Sequence, residues 1–196
     1  VEKCSPRFDP RAWASGKEYW YVFSNELSIT SPFASHLVAN CTDPLNIDLI
    51  SSACHLFVGQ HDFRHFYHGS QDIKTTVRTI YECDVICDIG KLSHMGKLGM
   101  DGNLPFTWYP YELNLVRFRG KGFLKKMIRL MMTALWKLGK GIITVDDIKA
   151  ALTQISDCPV HTAKLREMIG AAAPPSGLYL KEVFYERKSE LSILKN

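Results

Sequence analysis

Long apolar runs are scarce in this chain of 196 residues: none approaches the roughly 18 residues of a spanning helix, so an integral membrane role is not expected. An excess of one charge is scarce too. Twenty-four Lys and Arg stand against twenty Asp and Glu, a formal net charge of +4, which is mild beside most nucleic-acid binders. The six Cys include no C-x-x-C pair, and buried free thiols in a reducing, intracellular compartment are the expected state. The GKG pieces at 120–122 and 139–141 lack the spacing and the Ser or Thr of a phosphate-binding loop. With no G-x-S-x-G elbow and no dinucleotide fingerprint either, no nucleotide cofactor is implied. The opening VEKCSPRFDP has no initiator Met, and a processed or truncated chain is the expectation.

What is present describes an ordinary globular domain. With 46% hydrophobic and 22% charged residues, a disordered or collagen-like chain is excluded. A single domain over 1–196 would bury roughly 70% of the surface its unfolded chain exposes. The positive charge is local: residues 117–140 hold Arg117, Arg119, Lys121, Lys125, Lys126, Arg129, Lys137 and Lys140 and no acid, leaving an acidic excess elsewhere.

Periodicity predicts strands at 17–23, 73–88, 111–118 and 178–186 and long helices at 45–58 and 123–138. In the first strand Tyr19, Tyr21 and Phe23 alternate with Trp20 and Val22, so both faces are covered. The first helix reads as capped by Asp43, opened by Pro44 and stopped at Gly59. In the second, Phe123, Met127, Met131, Ala134 and Leu138 face the core, while Lys125, Arg129, Thr133 and Lys137 mark an opposite, basic side. Thr144 and Asp147 form a capping box opening a helix to about Thr153, and a short helix follows over 161–169. Residues 59–71 read as a compact loop, 91–110 as an insertion loop and 187–196 as a frayed tail. The fold class is α+β: a four-stranded antiparallel or mixed sheet with both long helices on one face.

The densest polar cluster is HDFRHFYH. His61, His65 and His68 have helical spacing that suits zinc, with Asp62 as a fourth ligand, and a metal-dependent hydrolase is one rival function. Arg64 opposes this, and the spacing matches no strong zinc signature. Asp62 as the cap of a short turn, Phe63 and Phe66 as anchors, and His61 and Arg64 lining a polar cleft fit better. Tyr19 and Tyr21 are core aromatics by default, with a sheet-edge ring stacking on a base as the alternative. Arg129 is either a phosphate contact or a helical Arg awaiting an acid from elsewhere.

Four blocks, SPRFDPRAWASGKEYWY (5–21), FVGQHDFRHF (57–66), GFLKKMIRLMMTALWKLGKG (122–141) and AAAPPSGLYLKEVFYE (171–186), resemble in order those of the TruA-type tRNA pseudouridine synthases. The resemblance implies a ferredoxin-like C-terminal subdomain of an isomerase that detaches uracil from ribose, rotates it and rejoins it through carbon, with one Asp and neither metal nor cofactor. It implies three site residues: Tyr19, whose ring packs on the uracil; Arg129, which pairs with the catalytic Asp; and Leu178, which lines the base pocket. The family's Asp lies in an Arg-Thr-Asp segment, and none occurs in these 196 residues. An N-terminal half carrying it is therefore an expected partner, beside tRNA or another structured RNA and a second copy of the chain. The RNA contacts are expected from Arg117, Arg119, Lys121, Lys125, Lys126, Lys137, Lys140, His61 and Arg64. Lys125 or Lys126 stands where the family usually has His. A non-catalytic RNA-binding module derived from the family is the alternative.

Overall fold

The computed structural model describes residues 8–25, 36–69, 73–87, 89, 113–153 and 159–185. Among the described residues, six strands, β1 (Ala14–Ser24), β2 (Ala39–Asn40), β3 (Gly59–Asp62), β4 (Val77–Ile86), β5 (Asn114–Gly120) and β6 (Leu178–Tyr185), form one mixed sheet. Four helices are found among the described residues: α1 (Ile47–Cys54), α2 (Met127–Gly139), α3 (Val145–Leu152) and α4 (Pro159–Ile169). The candidate insertion at 91–110 and tail at 187–196 lie outside the described residues. No described helix is long and apolar enough to cross a membrane.

β1 is the organising strand because both of its faces are apolar. Tyr21 and Phe23 enter the main core with Val116 and Phe118 of β5, while Trp20 and Val22 join Leu113 and Leu115 in a smaller cluster behind the sheet. One side of β1 pairs antiparallel with β5. The other side is shared: β6 runs antiparallel to residues 14–21, and β2 takes over in parallel at Phe23 and Ser24. The handover is at Gly177, whose carbonyl accepts the Val22 N–H at 2.7 Å. β4 continues the sheet from β5, and β3 closes that edge. The four long strands match the sequence reading. The two short ones do not, since the predicted 59–71 loop begins as β3; elements of two and four residues are too short to show alternation.

The helices share one face of the sheet, as the pattern predicts, with Ile50, Ala53, Met131 and Leu135 in the same core. Their ends differ from expectation. Asn46, not Asp43, caps α1, accepting the Leu49 N–H at 2.9 Å; Asp43 instead pairs with Lys140. Residues His55–Phe57 tighten into a 3₁₀ turn, so Gly59 opens β3 rather than ending the helix. α2 begins four residues later than predicted, because Lys126 takes a left-handed conformation (φ 61°) that breaks the helical run before Met127. The Thr144–Asp147 capping box of α3 is present with both reciprocal bonds. Cys41, Cys54 and Cys83 are buried free thiols and Cys87 is exposed.

Candidate active site

Where β6 starts beside β1, the turn entering α2 leaves a cleft of about 230 Å³, lined by Tyr19, Phe123, Lys125, Lys126, Arg129 and Leu178 among others. Its residues come from three distant parts of the chain. Strand alternation aims Tyr19 and Tyr21 at the same side, but their fates differ. Tyr21 is fully buried and its hydroxyl donates to the Pro174 carbonyl at 2.8 Å. Tyr19, one pleat nearer the open end, is half-buried, its ring meeting Phe123 edge-on at 5.2 Å. Burial pushes the Tyr19 phenol above its ordinary pKa, so it stays protonated at neutral pH. Leu178, the first residue of β6, pairs with Tyr21 across the strands and closes the apolar wall.

Arg129 lies in the first turn of α2. Its Nε donates to the Ala173 carbonyl at 2.6 Å, and its own carbonyl accepts the Ala173 N–H at 3.2 Å. One turn on, the Thr133 hydroxyl donates to Ala171; after another, Lys137 Nζ donates to Met168 at 2.6 Å. The side of α2 predicted as basic is therefore the strip on which residues 168–173 dock. The remaining positions of the helix, Gly139 apart, are buried, so it is covered on every side rather than amphipathic in the simple sense. Lys137 satisfies a carbonyl at the end of α4, where a cation is favoured. With Nε committed to Ala173, no carboxylate among the described residues pairs with the Arg129 guanidinium.

The tertiary structure divides the basic run of 117–140. Arg117 and Arg119 lie on the sheet face away from the helices and pair with Asp84 at 3.0 Å and Glu82 at 2.9 Å on β4. The Arg119 guanidinium also stacks over Phe184. Lys140 is taken by Asp43. Lys121, Lys125 and Lys126 are exposed, the last two at the cleft, and carry no ion pair among the described residues.

The HDFRHF segment is held as a structural turn. His61 Nε2 bonds the Val58 carbonyl at 2.9 Å, His65 is buried, and Phe63 and Phe66 are fully buried anchors. Asp62 accepts the Arg64 backbone N–H at 3.0 Å, Arg64 Nε at 2.8 Å and the Thr76 hydroxyl, capping the turn and tying it to the strand that follows. Burial works against its charge, but these hydrogen bonds and the Arg64 cation outweigh it and hold the carboxyl below its ordinary pKa. The stability this confers is present above the unfolded-state value of about 3.9 and is lost as pH falls through the lower folded value. Asp62→Asn is expected to cost about 1–3 kcal/mol at neutral pH, with the difference from wild type closing below about pH 4. Urea melts at stepped pH measure this; a pH-independent difference would show that packing, not charge, holds the turn.

Sequence reasoning missed Phe123 and Leu124 as cleft walls, having placed Phe123 in a helix. It also missed Arg166 of α4, whose Nη2 donates to the Arg64 carbonyl at 3.2 Å. No local signal marks either, since both depend on where distant segments dock.

The family model described as tRNA pseudouridine synthase matches residues 53–186. Proteins named tRNA pseudouridine synthase A are similar over most of the chain. That of Lactococcus lactis subsp. cremoris (strain SK11) is 34% identical over 89% of this chain and 57% of its own length. That of Lysinibacillus sphaericus is 30% identical over 94% and 63%, and that of Citrifermentans bemidjiense 31% over 93% and 61%. The chain thus spans about three fifths of the length of these curated relatives. The match of the family model to residues 53–186, which takes in α2 and β6, and relatives 30–34% identical over most of the chain show that the chain belongs to the tRNA pseudouridine synthase family.

Proposed function

We propose that this chain carries the base-binding side of a tRNA pseudouridine synthase site, isomerising uridine in structured RNA together with an Asp supplied by an Arg-Thr-Asp segment outside these 196 residues. The observation that supports this reading is the meeting of Tyr19, Arg129 and Leu178, from three separate sequence blocks, on one cleft. The target uridine leaves its stack at a cost of a few kcal/mol, offset by packing against the Tyr19 ring and the Leu178 side chain. Arg129 keeps the incoming Asp ionised by charge and hydrogen bonding. In the isomerisation the bond from ribose C1′ to N1 breaks, the ring turns, C1′ bonds to C5, C5 loses its proton and N1 gains one. A Tyr19 phenol that is itself protonated can relay the C5 proton only by giving up its own in the same step. Lys121, Lys125 and Lys126 supply salt-sensitive phosphate contacts.

This division of labour has a direct test. Tritium release from tRNA labelled at uridine C5 is expected to stay at background with this chain alone and to appear when the chain is joined to an upstream half bearing Arg-Thr-Asp. Turnover by the isolated chain would mean that a carboxylate within it is the nucleophile. RNA binding without turnover in the joined protein would favour the second reading, a non-catalytic binding module.

A further inference from the structure

A second and larger cleft, about 680 Å³, opens beside the first, lined by Tyr67, His68, Ile73, Thr76, Lys125 and Arg166. Lys125 borders both. Three features make this a built surface rather than a gap between loops. The His68 N–H donates to the Lys125 carbonyl at 3.3 Å, joining the β3–β4 connection to the turn that enters α2. Arg166 reaches from α4 to the Arg64 carbonyl. Tyr67 folds tightly against Gly69, where an added Cβ would lie 2.2 Å from the tyrosine Oη, so only glycine lets the ring take this position.

Among the described residues the charge of this cleft is one-sided. Lys125 and Arg166 line it, and no carboxylate does among the described residues. Asp62, which the lining residue Thr76 bonds from behind, is already neutralised by Arg64. Arg166 keeps most of its guanidinium donors after bonding one backbone carbonyl, and a planar fork of donors suits phosphate oxygens.

We infer that this second cleft holds the RNA backbone flanking the nucleotide bound in the Tyr19 cleft, with Arg166 and Lys125 each neutralising a phosphodiester. The inference rests on the proposed function for the occupant of the first cleft, and Lys125, common to both, makes the path continuous. A nucleotide drawn out of its stack pulls its flanking phosphates with it, and cations beside the base cleft set the register in which it enters.

The test is equilibrium binding of a folded tRNA transcript to the full 196-residue chain between about 50 and about 200 mM salt. Arg166→Ala is expected to weaken binding about 5- to 10-fold near 100 mM salt and to flatten the log–log salt slope by about one; Lys125→Ala acts likewise, and the pair by about two. Arg166→Lys, which keeps the charge, retains the slope, while Lys149→Ala on α3 changes nothing. If the wild type binds and Arg166→Ala keeps its slope and affinity, the inference is overturned while the proposed function stands. If the wild type shows no salt-dependent binding of tRNA, both fall. Saturable binding of inorganic phosphate or uridine monophosphate, as tight as that of tRNA and lost in Arg166→Ala, would assign the cleft to a small anion and overturn the RNA path.

Discussion

Arg129→Lys is expected to lower the single-turnover rate at saturating RNA by roughly 10²–10³-fold in a protein joining this chain to the Arg-Thr-Asp half, the scale of removing one preorganised donor from a reacting site. RNA affinity should change by less than about threefold, because the charge is kept. The Nε–Ala173 bond of 2.6 Å anchors the guanidinium at the cleft and leaves its outer nitrogens for a carboxylate. A lysine ammonium can replace either the carbonyl bond or the pair with the Asp, not both in one plane. Lys121→Ala makes the informative contrast, weakening binding and its salt slope with little effect on bound-state turnover. Lys137, which the sequence suggests as such a control, is unsuitable, since its ammonium holds the Met168 carbonyl. An Arg129→Lys variant that lost only affinity would return Arg129 to the phosphate contacts.

Gly177→Ala should destabilise the fold by about 3 kcal/mol or more, among the largest effects available from adding one methyl group. Two costs combine. Gly177 has φ 87°, a conformation that alanine adopts only with strain, and an added Cβ would stand 2.1 Å from the Val22 carbonyl oxygen and 3.0 Å from the Ala39 nitrogen. Those neighbours are backbone, held in the sheet by β1 and β2, so neither can yield as a flexible side chain would. Relief requires the 174–178 segment to move away from β1, which breaks the bond from Val22 N–H to the Gly177 carbonyl and carries Leu178 out of the cleft. Thermal or urea unfolding gives the stability loss. A change within about 0.5 kcal/mol would mean the segment is not clamped as described.

The two effects meet at the 171–178 segment, whose importance its sequence signals only in part. Pro174, Pro175 and Gly177 announce a turn before a strand, but nothing local announces that Tyr21 and Arg129 both bond its carbonyls, at Pro174 and Ala173. Those bonds are made with residues more than forty positions away, and no periodicity records them. The start of α2 is a similar case. The pattern from Phe123 onward suits a helix, and the left-handed Lys126 that delays it matters because it leaves Phe123 in the cleft wall opposite Tyr19.

Taken alone, the sequence determined what depends on spacing along one chain: the four long strands, the two faces of β1, the two long helices and their common side, the capping box of α3, and the motifs that carry the family. Period-two and period-3.6 alternation are local properties, so they survive without knowledge of partners. Only the tertiary structure decided what depends on which segments meet. It separated Tyr21, locked in the core, from Tyr19 at the cleft, and placed Arg129 and Leu178 beside Tyr19. It divided one basic run among an acid-paired sheet face, a half-buried helix strip and an open cleft edge, and it brought Arg166 from α4 to the cleft bordered by Lys125. The physical reason is that charge and hydrogen bonding act through space: a lysine beside a carbonyl and a lysine beside water are the same letter in the chain, and only the fold tells them apart.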